Sequence, residues 1–346
     1  MKVIVDNKIP YIKEAIENIA DEVIYLPGKD FTPEAVKDAD ALIIRTRTHC
    51  NRELLEGSNV KFIATATIGF DHIDTEYCKE AGIEWTNAPG CNSGSVQQYL
   101  HSTLLLLQQE KGLDLKNACI GIVGVGNVGK KIAEIAKYLG MKVLLNDLPR
   151  ADKEGGKEFT DLATIARECD VITFHTPLNR DGKYKTFHLA NREFFESLEK
   201  KPFIINTSRG EVIDTEALCE ALQNGKIEDA VIDVWENEPD INLDLLNRIF
   251  IGTPHIAGYS ADGKANATRM SLEALCRFFK IDKEFTITPP SPTTPLYASC
   301  ETEVFLQLYD PRNDCKALRE HPERFEQLRG NYPLRREKEA YYILPL

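Results

Sequence analysis

The stretch ACIGIVGVGNVGKKIAEIAKYL, residues 118–139, decides the fold of this chain. Its first part, Ala118–Val123, is a nearly continuous apolar run, which is typical of a central strand in a parallel sheet. The glycine pattern GVGNVG follows at residues 124–129, and residues 130–139 have the apolar spacing of a helix. A strand, a glycine-rich turn and a helix in this order predict a site for a dinucleotide.

The three glycines of this turn have different expected roles. Gly124 permits the tight turn, Gly126 lets a pyrophosphate approach the backbone, and Gly129 allows the helix to pack closely on the strand. Asp147 ends the next predicted strand, where its carboxylate would accept hydrogen bonds from a ribose and repel a 2′-phosphate. The pattern therefore favours NAD, although the nearby Arg150 leaves NADP open.

Short apolar runs alternate with helical patterns on both sides of this stretch, which predicts parallel sheets covered by helices. Strands are predicted at residues 2–6, 41–45, 62–65, 83–87, 118–123, 142–146, 171–175, 203–207, 230–234 and 249–253, and helices at 11–20, 95–110, 130–139 and 261–280. We expect the last helix to return to the first unit. The proline-rich ITPPSPTTP at 287–295 predicts a linker. It leads to a small third unit with strands at 303–309 and 341–344.

Composition excludes several classes of function. The 346 residues carry a formal charge of −12, so sequence-independent nucleic-acid binding is not expected. The chain has no signal-peptide pattern and no apolar run long enough to span a membrane. Its nine cysteines contain no CxxC pair or zinc spacing, which indicates reduced thiols in a cytoplasm and no metal site.

Three polar residues follow predicted strands in the second half of the nucleotide-binding unit. Arg209 follows FIINTS, Glu238 follows VIDVWEN and His255 follows IFIGTP. Ligands of doubly wound sheets bind at the carboxyl ends of strands, so the three are expected at one crevice. Arginine can hold a carboxylate, histidine can exchange a proton, and glutamate favours the protonated ring. His175 also ends a strand, but a lone histidine there is more often structural.

The segments NTSRG at 206–210, DVWENEP at 233–239 and TPHIAG at 253–258 resemble the hallmark segments of the D-2-hydroxyacid dehydrogenase family. The resemblance covers roughly residues 1–285. It implies that Arg209 binds the substrate carboxylate and carbonyl, that His255 is the acid/base and that Glu238 is its partner. Asp233 would lie near the nicotinamide carboxamide. The full set expected to bind NAD is Gly124, Gly126, Asn127, Val128, Gly129, Asp147, Thr176, Thr207, Ser208, Arg209, Asp233 and Gly258.

The resemblance also implies the fold and the domain order. A Rossmann-type doubly wound NAD domain, residues 94–257, would be inserted in a flavodoxin-like substrate-binding domain, residues 1–93 and 258–286. A small C-terminal α+β domain, residues 287–346, would make a homodimer, although it is short for that role.

Further segments, ATATIGFDH at 64–72 and APGCN at 88–92, resemble one member whose substrate is a phosphorylated hydroxy acid. That match implies substrate contacts from Thr46, Thr67 and Tyr259. Two arginine pairs are candidates for the phosphate: Arg45 with Arg47, if the strand continues through them, and Arg335 with Arg336, from the same chain or a partner chain. Two alternatives stay open. One is a dehydrogenase of phosphoglycerate, glycerate or lactate, and the other is an NADH-sensing corepressor.

Overall fold

The computed structural model describes residues 1–293 and 295–345, and the chain divides into two compact units. The first unit contains Met1–Asn92 and Ser260–Thr293, so it is discontinuous in sequence. The second contains Ser93–Tyr259 and the described part of the chain after residue 294. We expected residues 287–346 to form a third unit. Instead, Val304, Phe305 and Leu308 pack into the core of the second unit, which groups this segment with it.

A parallel sheet of five strands forms the centre of the first unit, in the order β2-β1-β3-β4-β5. This is the flavodoxin-like strand order. The strands are β1 Lys2–Asp6, β2 Glu22–Leu26, β3 Ala41–Ile44, β4 Phe62–Thr65 and β5 Glu84–Thr86, and the first helices are α1 Lys13–Glu17, α2 Pro33–Val36, α3 Arg52–Leu55 and α4 Thr75–Ala81. Strand β2 was not predicted from the sequence. The apolar strand β3 is fully buried, as a central parallel strand requires.

The second unit is built on a parallel sheet of six strands in the order β11-β10-β9-β8-β6-β7. Its strands are β6 Cys119–Val123, β7 Lys142–Asn146, β8 Val171–Phe174, β9 Phe203–Asn206, β10 Asp229–Ile232 and β11 Ile251–Gly252. The helices are α5 Ser93–Lys111, α6 Asn127–Tyr138, α7 Leu148–Glu154, α8 Leu162–Glu168, α9 Arg192–Glu196, α10 Thr215–Gln223 and α11 Leu243–Arg248. Residues alternate between two cores along β6, with Ile120 and Ile122 in one and Cys119 and Val123 in the other.

Strand register places the ends of five neighbouring strands in one row. Val123 pairs with Phe174, Phe174 with Asn206, Asn206 with Ile232, and Ile232 with Gly252. The loops that follow these residues therefore all leave the sheet at its carboxyl edge. This edge is where doubly wound sheets bind their ligands.

Helix α12, Ala261–Phe279, lies in the first unit, at the position predicted from the sequence. The Ser260 hydroxyl accepts a hydrogen bond from the Gly263 amide at 2.9 Å and caps its start. Leu272 and Leu275 are buried in the core that also contains residues of β1 and β3. No helix among residues 1–293 and 295–345 is long and apolar enough to cross a membrane.

The C-terminal segment differs from the sequence prediction. It contains β12 Leu296–Ala298, α13 Glu301–Leu308, α14 Pro311–Glu320, α15 Phe325–Gly330 and β13 Ile343–Pro345. The strand predicted at 303–309 is wrong, because this stretch is helix α13. Val304, Phe305 and Leu308 lie on one face of that helix and are buried, which is helical rather than alternating spacing. The strand predicted at 341–344 is present from Ile343.

Candidate active site

The glycine turn after β6 has the shape needed to receive a pyrophosphate. Gly124 has φ +90°, and a Cβ there would lie 2.6 Å from the carbonyl oxygen of His175. A Cβ at Gly129 would lie 2.0 Å from the carbonyl oxygen of Gly124, so only glycine permits this close packing of helix on turn. A Cβ at Gly126 would meet no atom within 4 Å. Gly126 also caps α6 without a side-chain hydrogen bond, so Asn127 and Val128 begin a helix whose amides can hold an anion.

Asp147 connects this turn to helix α7. Its Oδ2 accepts from the Val125 amide at 2.8 Å, and its Oδ1 accepts from the Arg150 amide at 3.0 Å. Each carboxylate oxygen keeps a second lone pair for a ribose hydroxyl. The Arg150 guanidinium donates to both carboxylate oxygens of Glu154, at 2.9 and 2.7 Å. Because Glu154 already neutralises Arg150, the geometry favours NAD over NADP.

The residues after β8 give a second point of contact for a cofactor. The Thr176 hydroxyl oxygen is buried and has no hydrogen-bond partner among the described residues. An unpaired buried hydroxyl at this edge fits a polar group of a bound dinucleotide. His175 precedes it, and burial lowers the pKa of its ring to about 3, so the ring is neutral. The ring lies 2.9 Å from the hydroxyl of Thr173 and 3.4 Å from that of Thr207, which makes it a structural residue.

Asn206 builds the loop that carries Arg209. Its amide Nδ2 donates to the Arg209 carbonyl at 2.9 Å, and its Oδ1 accepts from the Ser208 amide at 3.0 Å. The Arg209 guanidinium donates through Nη1 to the Ser208 carbonyl at 2.8 Å. A Cβ at Gly210 would lie 2.0 Å from the carbonyl carbon of Trp235. The loop that carries Arg209 therefore packs closely against the loop that leads to Glu238.

Glu238 and His255 form a hydrogen-bonded pair. His255 Nδ1 lies 2.8 Å from Glu238 Oε2 and 3.1 Å from Oε1. Burial raises the pKa of Glu238, but the hydrogen bond and charge of His255, the hydrogen bond from the Trp235 amide and the charge of Arg329 together outweigh it, and the net pKa is below the usual value. Glu238 is therefore ionised near neutral pH and holds a proton on Nδ1. That tautomer leaves Nε2 of His255 as the nitrogen that can take a proton from a substrate.

Asp233 braces the backbone around His255. Its buried carboxylate accepts from the Thr253 hydroxyl at 2.6 Å and from the amides of Ile256 and Ala257 at 2.8 and 3.0 Å. Burial raises the pKa of this carboxyl group. The contacts hold His255 at φ +56°, in the left-handed region that non-glycine residues seldom adopt. The predicted contact of Asp233 with the nicotinamide carboxamide stays a prediction.

Several residues of this site were missed from the sequence. The Trp235 indole donates to the Thr253 carbonyl at 2.9 Å, and the Tyr99 hydroxyl lies 2.9 Å from the Thr253 hydroxyl. Trp235 and Thr253 lie inside the hallmark segments, so their position could have suggested a supporting role. Arg329 lies in α15, with Nη1 3.5 Å from Glu238 Oε2. No motif marked it, because it is distant from the site in sequence.

The expected substrate residues belong to different units. Thr46 is exposed in the turn after β3, and the Thr67 hydroxyl donates to the Gly69 carbonyl at 2.9 Å, both in the first unit. In the second unit Gly258 and Tyr259 follow the His255 turn, and the Tyr259 hydroxyl accepts from Arg329 Nε at 3.2 Å.

The expectation that Arg45 and Arg47 alternate along a strand is wrong, because β3 ends at Ile44 and both residues lie beyond it. Arg45 remains close to a charged partner there, since its Nη2 lies 3.3 Å from Asp6 Oδ1.

The second candidate arginine pair is buried, and its contact with a substrate phosphate stays a prediction. Arg335 and Arg336 are 6% and 7% exposed. The Arg335 guanidinium donates to the Ser95 hydroxyl and, at 2.7 Å, to the Ala257 carbonyl, and it lies 4.2 Å from the centre of the Tyr309 ring. Arg335 is therefore a buried support of the loop after His255.

The described residues contain no group of three or more His, Cys, Asp or Glu that could hold a metal ion.

Comparison with known proteins agrees with this geometry. The sequence model of the D-isomer specific 2-hydroxyacid dehydrogenase NAD-binding domain matches residues 96–257. Over 345 residues the chain is 68% identical to an erythronate-4-phosphate dehydrogenase of Bacteroides fragilis (strain YCH46), covering 99% of each chain. It is 42% identical to the erythronate-4-phosphate dehydrogenase of Porphyromonas gingivalis, covering 99% of this chain and 95% of that one.

Solved structures of related dehydrogenases share the fold. A D-lactate dehydrogenase from Aquifex aeolicus, complexed with NAD and lactic acid, matches with a TM-score of 0.65 at 27% identity, over 84% of this chain and 100% of that one. A 3-phosphoglycerate dehydrogenase of Entamoeba histolytica with bound NAD+ matches with a TM-score of 0.67 at 29% identity, over 83% and 98%. The chain therefore belongs to the D-2-hydroxyacid dehydrogenases, a family of NAD-dependent enzymes, and within it to the group of the erythronate-4-phosphate dehydrogenases.

Proposed function

We propose that this chain oxidises erythronate 4-phosphate with NAD to 2-oxo-3-hydroxy-4-phosphobutanoate, as a step in pyridoxal 5′-phosphate biosynthesis. The observation that carries the proposal is the Glu238–His255 pair, set at one sheet edge with Arg209 and the glycine turn. The full-length relatives at 68% identity support the choice of substrate. We place the reaction in the cytoplasm, where nine free thiols are stable.

Each residue has a distinct task in this reaction. The guanidinium of Arg209 holds the substrate carboxylate and the adjacent oxygen and so orients the carbon that is oxidised. Nε2 of His255 takes the hydroxyl proton, and Glu238 stabilises the imidazolium that results. The nicotinamide, when bound, supplies the hydride acceptor. The carboxylate of Asp233 keeps the His255 backbone in place while the ring changes charge.

For the phosphate of the substrate we propose Arg45 of the first unit. Its Nε is buried and has no hydrogen-bond partner among the described residues. Burial, with a smaller contribution from the charge of Arg45, lowers the pKa of Lys264, so two cationic side chains of this unit lie near each other. One carboxylate, that of Asp6, lies beside Arg45, and a dianionic phosphate would add the negative charge that the second cation lacks.

A substrate panel tests the reaction. We expect NADH formation with erythronate 4-phosphate at a kcat/KM at least tenfold above that with 3-phosphoglycerate, glycerate or lactate. If another acid of the panel has the higher kcat/KM, that acid would be assigned as the substrate in place of erythronate 4-phosphate. NADH binding without turnover of any of these acids would favour the alternative function, that of an NADH-sensing corepressor.

The phosphate site needs its own comparison. An Arg45→Gln variant should lose about 10- to 100-fold in selectivity for erythronate 4-phosphate over unphosphorylated erythronate, because a charge-assisted hydrogen bond contributes about 1.5–3 kcal/mol. Arg52→Gln is the matched control, since Arg52 is an exposed arginine of the same unit that pairs with Glu56 and Glu80. Equal selectivity in the Arg45 variant and the wild type would refute the assignment.

We also propose that two copies associate through the C-terminal segment. This segment carries several exposed large apolar side chains: Tyr297, Leu334, Tyr342, Ile343 and Leu344. Three of them, Tyr297, Ile343 and Leu344, lie on the paired strands β12 and β13, and exposed apolar side chains that lie together can mark a surface for association. A Leu334→Ser, Tyr342→Ser double variant should sediment as a monomer, while Leu243→Ser, which changes an exposed leucine of α11, should not differ from wild type. A dimeric double variant would contradict this interface.

A further inference from the structure

Arg329 connects the C-terminal segment to the acid–base pair of the second unit. It lies in α15, and its side chain is 29% exposed. Nη1 lies 3.5 Å from Glu238 Oε2, and Nε donates to the Tyr259 hydroxyl at 3.2 Å. One guanidinium thus contacts the partner of the catalytic histidine and the side chain expected to meet the substrate.

The same carboxylate oxygen faces two nitrogen groups, the imidazole of His255 and the cationic guanidinium of Arg329. Glu238 Oε2 is 2.8 Å from His255 Nδ1 and 3.5 Å from Arg329 Nη1. Two further carboxylates interact electrostatically with these groups: Asp233 with His255, and Glu326 with Arg329. Because Glu238 is 17% exposed, water screens only part of its interaction with Arg329. Because Arg329 balances part of the negative charge of Glu238, the carboxylate stabilises the imidazolium of His255 less strongly.

We propose that Arg329 is a positioning residue that sets the proton affinity of His255 by sharing the carboxylate of Glu238, while it fixes the hydroxyl of Tyr259. The inference rests on the proposed acid–base role of the Glu238–His255 pair. Arg329 itself does not exchange a proton in the reaction.

Removing the guanidinium has an effect of predictable sign. Without Arg329, Glu238 stabilises the imidazolium more strongly, so a higher pH is needed to form the neutral base. An Arg329→Gln variant should move the acid limb of kcat/KM for oxidation to higher pH, by about 0.5 to 1 unit. Arg329→Lys restores a cation and should bring the limb back toward wild type. A purely structural residue would lower kcat without moving the limb.

The test combines that profile with an NMR titration of the His255 ring in the NAD-loaded protein. The titration needs no substrate, so it tests the inference even if erythronate 4-phosphate is not turned over. Arg324→Gln is the control, because Arg324 is an exposed arginine of the same segment, 3.7 Å from Glu323.

We expect the ring midpoint to rise in Arg329→Gln and to stay unchanged in Arg324→Gln. An Arg329→Met variant provides a second neutral replacement, with folding checked by NAD binding and thermal melting. An unmoved midpoint in either folded variant overturns the proposal. Failure of both to fold also overturns it, since Arg329 would then be a residue of the fold and not of the site.

Discussion

Replacing Glu238 by glutamine removes one charge from the site and leaves the shape of the side chain unchanged. The amide oxygen of the variant can still accept from His255 Nδ1, so the ring keeps its orientation. The carboxylate that favours the imidazolium is lost. His255 then becomes a neutral base at lower pH, and the acid limb of the pH–rate profile for oxidation should move to lower pH.

The size of the shift follows from the hydrogen bond that changes. The Nδ1–Oε2 distance is 2.8 Å, which is within the usual range of a charge-assisted hydrogen bond. A hydrogen bond to a charged group contributes about 1.5–3 kcal/mol, and about 1.4 kcal/mol corresponds to one pH unit. His255 and Glu238 are 26% and 17% exposed, so solvent screens part of the interaction. We therefore expect a shift of about 1 pH unit.

The assay is the initial rate of NADH formation, measured as kcat/KM across pH with erythronate 4-phosphate. Glu236→Gln is the control, because Glu236 lies in the same loop but accepts from the Thr215 amide at 2.9 Å and pairs with His188 at 2.7 Å. Its profile should match wild type. An acid limb that stays in place in Glu238→Gln, or moves to higher pH, would refute the assigned role of the carboxylate.

Three further predictions concern the backbone and the cofactor. Gly210→Ala places a Cβ 2.0 Å from the Trp235 carbonyl carbon and should cost about 1–3 kcal/mol of stability, seen as a lower Tm; an unchanged Tm would contradict this packing. Gly129→Ala should weaken NAD binding at least tenfold by calorimetry, because the added methyl clashes with the Gly124 carbonyl, and wild-type affinity would count against the turn geometry. Asp147→Ser should reduce the preference for NAD over NADP at least tenfold, and an unaltered preference would show that the carboxylate does not select the cofactor.

Much of the second unit could be predicted from the sequence because its signals are local. Apolar runs that end at Val123 or begin at Val171 mark central strands, and the glycine turn fixes what lies between strand and helix. The hallmark segments placed Arg209, Glu238 and His255 at strand ends, where the structure has them. The row of strand ends from Val123 to Gly252 explains why residues so far apart in sequence share one edge.

Other features could not be predicted because they depend on packing. Strand β2 is an exception, because its sequence EVIYL has four consecutive apolar residues and could have been predicted; it is an edge strand with partly exposed residues. Helix α13 has only eight residues, too few to separate a helical pattern of apolar residues from a strand pattern in the sequence. Arg329 and Arg335 lie in polar sequence typical of a protein surface. In the fold, however, the Arg335 guanidinium is buried against the Ala257 carbonyl, and the Arg329 guanidinium lies beside Glu238.

The most direct test of the account is turnover of erythronate 4-phosphate by a His255→Gln variant that still binds NAD. General acid–base catalysis contributes typically about 10²- to 10⁴-fold, so the account predicts a loss of kcat in that range with little change in NAD affinity. A variant that oxidises the substrate at the wild-type rate would show that His255 does not take the proton.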